Sequence, residues 1–242
     1  MPETTPNPAR AHDTDSAAFS GAFGFGLSPG HVARSRGAVA AGRTLRITVF
    51  GSSTTEGIGA SAPIHSFPQV MRASLVASGI APVSLANHGV GGNNARDLHA
   101  RLGDVIAGEP DLVLFQTGSN DPLQEVPASE FARLTRADLL TLRAHTGADL
   151  VLVDQQLCRM LEECEAFPPY LTALHEAGAA TGVPVFPRYQ MMQGWSMTPG
   201  MDRDRLSPDG LHMGDAGYRL LGEALAGWLR LALLHPDAPA TA

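Results

Sequence analysis

Apolar positions recur in two alternating patterns from residue 43 onward. Short β-branched or continuous apolar runs predict buried strands, and longer segments with apolar residues at helical spacing separate them. The predicted strands cover residues 45–50, 83–86, 112–116, 149–154 and 183–186. The predicted helices cover residues 67–77, 95–107, 129–145, 169–180 and 215–234, with Ser129 as a cap and with Val76 and Leu140 among the inward positions.

Strands that alternate with helices indicate an α/β domain built on a mainly parallel, five-stranded sheet with right-handed crossovers. In such sheets, ligands bind outside the carboxyl ends of the strands. The residues that follow each predicted strand are therefore the first place to look for chemistry.

The beginning of the chain has a different composition. Residues 1–16 are rich in Pro, Thr, Asp and Ala, and they lack the basic start and apolar core of a secretory signal. We divide the chain into a flexible or irregular arm (1–42), a globular domain (43–235) and a tail (236–242). The arm is expected to pack on the domain, with a substrate-lining or oligomer contact as the alternative. A soluble protein is expected, with the cytoplasm favoured, although the sequence does not determine the compartment.

Charge and cysteine content exclude several classes of function. The net charge is −7 and no basic stripe is present, which argues against nucleic-acid binding. No apolar run approaches the roughly 18 residues of a membrane span. Cys158 and Cys164 match no common zinc spacing, and they could be two free thiols or one short-loop disulfide. We therefore expect no metal, no cofactor and no membrane span; the oligomeric state stays open.

Four short stretches, in a fixed order, carry residue types suited to acyl transfer. Three of them follow the first three predicted strands, and the fourth precedes the last helix. They are Gly-Ser-Ser-Thr-Thr-Glu-Gly at 51–57, Asn-His-Gly-Val-Gly-Gly-Asn-Asn at 87–94, Gly-Ser-Asn-Asp at 118–121 and Asp-Gly-Leu-His at 209–212. Any one of them alone would be an ordinary turn. Their combination predicts a nucleophile, an oxyanion hole and a base with a carboxylate partner.

Each role follows from simple chemistry. A serine hydroxyl such as that of Ser53 is a weak nucleophile until a base accepts its proton, and an imidazole such as that of His212 is suited to this near neutral pH. Asp209 can hold the ring in its working tautomer, because a spacing of three residues lets both side chains come from one turn. The oxyanion would accept hydrogen bonds from the amides of Ser53 and Gly92 and from the side chain of Asn120.

The ordered stretches resemble the SGNH hydrolase superfamily, also called GDSL-type esterases and lipases, over about residues 43–234. The resemblance implies a flavodoxin-like, three-layer α/β/α fold. It assigns the nucleophile to Ser53, the oxyanion hole to Ser53, Gly92 and Asn120, and the rest of the triad to Asp209 and His212. The family pattern usually has Asp where this chain has Ser52. Ser52 is also the competing nucleophile, but the register Gly-x-Ser-x-Thr-x-Gly favours Ser53.

Three further residues are candidates for substrate binding. Gln155 follows the fourth strand, and Met191 and Trp195 lie beyond the fifth. A flexible apolar wall that includes methionine would suit an acyl chain. The alternative is that Met191 and Trp195 are core contacts, four residues apart on a helix. The other histidines show no acidic partner at a matching spacing, so we interpret them as structural.

The sequence therefore predicts a cofactor-independent serine esterase that acts on a small-molecule ester through an acyl-enzyme. Acyl transfer to an alcohol or sugar on the same site, and a non-catalytic carbohydrate- or lipid-binding descendant of the fold, are the alternatives. A dinucleotide-binding enzyme would explain the glycines at 57–59. However, no acidic residue follows the second strand to bind a ribose. The choice among short acyl esters, lysophospholipids, thioesters and acetylated sugars stays open.

Overall fold

The computed structural model describes residues 27–80 and 82–234. Five strands form one sheet in the order β2-β1-β3-β4-β5, and all neighbouring strands are parallel. The strands are β1 (Leu45–Gly51), β2 (Val83–Gly89), β3 (Leu112–Gln116), β4 (Asp149–Val153) and β5 (Val185–Phe186). This confirms the predicted parallel α/β sheet of flavodoxin-like order.

Helices cover both faces of the sheet. In chain order they are α1 (Ala33–Ala40), α2 (Ser53–Glu56), α3 (Phe67–Ala77), α4 (Ala95–Ala100), α5 (Leu102–Ala107), α6 (Ala128–Thr146), α7 (Arg159–Glu162), α8 (Pro168–Thr181), α9 (Arg188–Ser196), α10 (Arg203–Leu206) and α11 (Asp215–Leu234). Short 3-10 helices occupy Pro29–Val32, Pro63–His65 and Pro122–Gln124.

Side chains of the inner strands alternate between two apolar clusters. In β3, Leu112 and Leu114 belong to the cluster that packs against α1, α3 and α11, whereas Val113 and Phe115 belong to the cluster under α4, α5, α6 and α8. A strand that is covered on both faces needs apolar residues at every position, which is the pattern that predicted β3. The result is a three-layer α/β/α domain.

Strand order places the site. The connection that follows β1 and the connection that follows β3 run in opposite directions along the sheet. A crevice therefore opens between the carboxyl ends of these neighbouring strands. Residues 51–57 follow β1, and residues 118–121 follow β3. Two of the four motifs thus meet at the point where the topology predicts a ligand.

The described part of the N-terminal arm is not irregular. A 3-10 turn and α1 cover residues 29–40, and Leu27, Val32 and Ala38 pack into the core cluster shared with α11. The Ser35 hydroxyl donates to Asp149 Oδ2 over 2.6 Å, which joins α1 to the start of β4. This part of the arm packs on the domain as expected, but residues 29–40 are helical rather than irregular. Residues 1–26 and the predicted tail at 236–242 lie outside the described residues.

Several predicted boundaries need correction. The helix expected at 95–107 is split at Arg101, and α6 begins after Pro127, whose carbonyl accepts from two amides of the first turn, so Ser129 is not the cap. Val76 and Leu140 are exposed rather than inward. β5 is only two residues long, since Pro184 just before it has no N–H to donate. The helices α3 and α11 have the predicted bounds.

Candidate active site

The turn after β1 distinguishes its two serines. Ser52 occupies the N-cap position of α2 without a side-chain capping bond; instead both its N–H and its hydroxyl donate to Gln116 Oε1, over 3.1 and 3.2 Å. Ser53 is the first residue of α2, and its hydroxyl makes no hydrogen bond to a described residue. The Ser52 hydroxyl is thus engaged, whereas the Ser53 hydroxyl has no partner among the described residues.

Gln116 is a residue that the motifs did not reveal. It is the last residue of β3, fully buried, and its Oε1 also accepts from the Thr55 hydroxyl over 3.2 Å. The position where the family pattern has Asp is thus occupied by a serine that donates to a glutamine on the neighbouring strand. The only sequence signal was a polar residue at the end of a wholly apolar run.

The glycine-rich loop after β2 lies beside Ser53. A Cβ atom added at Gly91 would lie 3.9 Å from Ser53 Cβ. Gly92 has a φ of 77°, in the left-handed region that favours glycine, and the space beside it is open. Its N–H donates to no acceptor among the described residues. An amide in this position is available to an oxyanion.

Asn120 adds a side-chain donor from the loop after β3. It is 6% exposed, and its Nδ2 donates to Asn93 O over 2.8 Å, which links this loop to the glycine-rich one. An amide nitrogen carries two protons, so one remains for a substrate oxygen. The Ser53 N–H, at the first position of α2, has no partner within the helix and is the third available donor.

Asp209 and His212 form a carboxylate–imidazole pair within one turn. His212 Nδ1 lies 2.7 Å from Asp209 Oδ2, while Asp209 Oδ1 accepts from the N–H groups of Leu211 and His212 over 2.8 and 2.6 Å. Partial burial acts to raise the pKa of Asp209, but these hydrogen bonds outweigh it and the pKa is lowered. An ionised Asp209 facing Nδ1 leaves Nε2 as the free ring nitrogen.

The turn that holds Asp209 and His212, called here the base turn, contacts the chain just after the Ser53 motif. A Cβ added at Gly59 would lie 3.2 Å from His212 Cβ and 2.4 Å from the Met213 carbonyl, so the two chain segments touch. Ser53 Oγ and His212 form no hydrogen bond within the described residues. Such a bond is often long in a substrate-free site and shortens when substrate binds.

Gln156 connects the base turn to the loop of Asn120. Its Oε1 accepts from the Ser119 hydroxyl over 2.9 Å, and its Nε2 donates to Leu211 O over 3.2 Å. The residue lies two positions beyond Asp154, after the end of β4. It follows Gln155 in the chain, and the sequence motifs do not indicate these contacts.

The three residues predicted to bind substrate are buried or partly buried in the structure. Gln155 is fully buried; its Nε2 donates to Tyr170 O over 3.4 Å and lies 2.1 Å from where a Cβ on Gly118 would be. Trp195 is 9% exposed and belongs to the large core cluster, against which the partly buried Met191 also packs. The positions of Met191 and Trp195 match the core alternative. Direct substrate contact by these residues stays a prediction.

Three histidines have carboxylate partners that sequence spacing did not show. His65 pairs with Asp215, His99 with Asp138, and His175 with Asp154, and each pair joins residues far apart in the chain. Cys158 and Cys164 are free thiols, and burial raises the pKa of Cys158 to about 11. Residues 27–80 and 82–234 contain no group of three or more potential metal-binding side chains. No helix in these ranges is long and apolar enough to cross a membrane.

Comparison with known proteins identifies a family for the chain. A family model described as "Non-GDSL lipase-like family" matches residues 27–233. Comparison with curated proteins gives no match.

Solved structures share the fold at low sequence identity. A lipase/acylhydrolase from Enterococcus faecalis has a TM-score of 0.68 at 23% identity, covering 81% of this chain and 100% of that one. A two-domain esterase (CEX) active on acetylated mannans has a TM-score of 0.72 at 19% identity, covering 89% and 57%. The acetyl xylan esterase AlAXEase has a TM-score of 0.65 at 20% identity, covering 75% and 98%.

Proposed function

Because the chain belongs to the non-GDSL lipase-like family, within the SGNH hydrolase superfamily, we propose that it is a serine esterase that hydrolyses carboxylic esters through an acyl-enzyme. One observation carries the proposal: the Ser53 hydroxyl has no hydrogen-bond partner among the described residues, beside the glycine-rich loop and on a chain segment that contacts the Asp209–His212 turn at Gly59. A structural serine in a turn would be expected to use its hydroxyl as Ser52 does, by donating to a neighbouring side chain.

In the proposed acylation, Ser53 Oγ attacks the ester carbonyl carbon and its proton passes to His212 Nε2. The carbonyl oxygen becomes an oxyanion that accepts from the Ser53 and Gly92 N–H groups and from Asn120 Nδ2. The C–O bond to the alcohol then breaks, and the imidazolium returns the proton to the departing oxygen. Asp209 stays ionised throughout and stabilises the positive ring.

Deacylation repeats these steps with water. His212 Nε2 accepts a proton from the attacking water, a second tetrahedral oxyanion forms in the same hole, and its collapse releases the acid and restores the Ser53 hydroxyl. Each chemical role is filled by a residue of this chain.

The test is a hydrolysis screen. It would use p-nitrophenyl esters of rising acyl length, with acetylated sugars and acyl thioesters in parallel, since one structural relative is an acetyl xylan esterase and another is an esterase active on acetylated mannans. We expect turnover of at least one class by the wild type, no turnover by Ser53→Ala and no effect of EDTA. Loss of activity in EDTA that returns with a divalent metal would defeat the proposal. So would turnover by a folded Ser53→Ala variant.

A further inference from the structure

The loop that carries Gly92 is held by side chains from the two other donor-bearing segments. Glu56 Oε2 accepts from the Gly91 N–H over 2.6 Å, and Gln124 Nε2 donates to the Gly92 carbonyl over 2.7 Å. Glu56 is the last residue of α2, which begins at Ser53, and Gln124 ends the 3-10 turn that follows Asn120. Each side chain thus joins the glycine loop to a segment that supplies another oxyanion donor.

The positions of these hydrogen bonds along the backbone are specific. The Gly91 N–H belongs to the peptide unit before the one that carries the Gly92 N–H, and the Gly92 carbonyl belongs to the unit after it. The free amide therefore lies on the peptide unit between two that are held. We propose that Glu56 and Gln124 are positioning residues that clamp the Gly91–Gly92 turn and aim the Gly92 N–H at the substrate oxygen. This proposal rests on the proposed esterase function.

The orientation of the Gln124 amide is itself determined. Its Oε1 accepts from Asn94 Nδ2 over 2.7 Å, which leaves Nε2 to face the Gly92 carbonyl. Asn93, next along the loop, is held through its side chain by Arg101 over 2.6 Å and through its carbonyl by Asn120. These contacts hold the residue after Gly92. On the other side of Gly92, the Val90 N–H donates to Gly51 O over 3.1 Å, and Glu56 accepts from the Gly91 N–H.

The negative charge of Glu56 argues for a positioning role rather than a direct chemical one. A carboxylate beside a site where negative charge develops opposes that charge, so Glu56 does not help the oxyanion electrostatically. Its contribution is the accepted hydrogen bond, and a glutamine carbonyl can accept the same bond without the charge. Glu56 and Gln124 are both exposed, and exposed neutral or charged hydrogen bonds add little to overall stability. Loss of the clamp should therefore change catalysis more than folding.

The test measures kcat, KM and the melting temperature on any ester that the wild type hydrolyses. We expect Glu56→Ala to lower kcat by about tenfold or more, because a misplaced group costs rate steeply, with KM and the melting temperature little changed. Glu56→Gln should restore kcat to within about threefold of the wild type. Gln124→Met, which removes the donor without adding charge, should lower kcat as Glu56→Ala does. Glu223→Ala, an exposed glutamate on α11, is the control.

The double variant tests whether both residues act on one peptide unit. Once one side of the turn is released, releasing the other should add less, so the loss in Glu56→Ala/Gln124→Met should be smaller than the product of the single losses. A multiplicative loss, an unimpaired kcat in Glu56→Ala, or a Gln variant as impaired as the Ala variant would each overturn the clamp. Ser53→Ala is run alongside: if it stays active, the proposed function fails, whereas an inactive Ser53→Ala with a normal Glu56→Ala rejects only the clamp.

Discussion

Long-range side-chain hydrogen bonds hold the proposed oxyanion half of the site, meaning Ser53, Gly92 and Asn120, whereas the proposed base half, Asp209 and His212, is organised mainly within one turn. Ser52 and Gln116, which support the turn of Ser53, are separated by 64 residues, and Asn120 and Asn93 by 27. All three contacts of Asp209 come from residues two or three positions away. The donors are thus placed by the fold, and the base by local sequence.

The difference suits the two tasks. Donors that stabilise an oxyanion must already point at the place where charge will appear, because reorienting them during the reaction would cost the energy they are meant to supply. The base must reach Ser53 Oγ when substrate is bound, and its turn is joined to the rest of the domain through Gln156 and Gly59. Substitutions can break each half separately.

Removing the nucleophile should have the largest effect. Ser53→Ala deletes only a hydroxyl without a hydrogen-bond partner among the described residues, so the fold should be kept while kcat falls by a factor on the order of 10⁶. Ser52→Ala, which removes the hydroxyl bonded to Gln116, should keep much of the activity. Steady-state kinetics and melting temperatures of the two variants provide the check. An inactive Ser52→Ala beside an active Ser53→Ala would reverse the register.

Disabling the base half is expected to come next. Asp209→Asn keeps an oxygen for the N–H groups of Leu211 and His212 but presents an amide to the ring, which favours the wrong tautomer, so kcat should drop about 10⁴-fold. Asp204→Asn, on the neighbouring α10, is the control for a lost surface charge. A decrease of less than about tenfold in Asp209→Asn would show that the ring is oriented by something else.

Opening the oxyanion hole should cost less. Asn120→Ala removes one donor that acts mainly after the oxyanion forms, so kcat should fall by about 10²- to 10³-fold while KM changes little. The same change breaks the hydrogen bond to the Asn93 carbonyl, and the melting temperature reports that loss separately. If kcat of the folded variant were normal, Asn120 would be a turn residue and the oxyanion half would need to be redefined.

The smallest expected effect concerns the stability of the fold around Asp121, the residue after Asn120. Asp121 is buried, and burial raises its pKa to about 6 although its Oδ1 accepts from the Ala95 N–H over 2.9 Å. The folded state therefore binds this proton more tightly than the unfolded chain does, and stability falls as the pH rises from about 4 to about 6. Asp121→Asn keeps an acceptor oxygen and does not titrate.

The stability of Asp121→Asn relative to the wild type should therefore increase through that pH range and stay constant above it. The upper limit of this gain in the free energy of unfolding is about 3 kcal/mol. Thermal melts of both proteins at a series of pH values measure the difference. A difference that did not vary with pH would mean that Asp121 is not the titrating group.

Sequence patterns predicted the inner strands and the helices α3 and α11 because burial on both faces, or on one stripe, leaves a periodic record. The pattern missed α1, whose sequence Ala-Arg-Ser-Arg-Gly-Ala-Val-Ala has no strong apolar face. That helix is stabilised by tertiary contacts, among them the buried Ser35 on Asp149, and such contacts override local propensity.

The proposed site shows the same limit. Its residues Ser53, Gly92, Asn120, Asp209 and His212 lie in short motifs from which the sequence predicts their roles. Their partners Gln116, Gln156, Glu56 and Gln124 could not be assigned, because each contact depends on which strands are neighbours and on which loops meet at the sheet edge. Gln155 lies beside Gln156 in sequence, yet it is buried beneath Gly118 rather than linked to the base turn.

The identity of the nucleophile is the central claim, and covalent labelling tests it most directly. A fluorophosphonate reacts with a serine that a base has activated, and intact-mass and peptide mass spectrometry then locate the adduct. We predict one adduct per chain on Ser53, lost in Ser53→Ala and slowed strongly in Asp209→Asn. An adduct on Ser52, or no adduct on the folded wild-type protein under conditions in which it hydrolyses esters, would contradict the account.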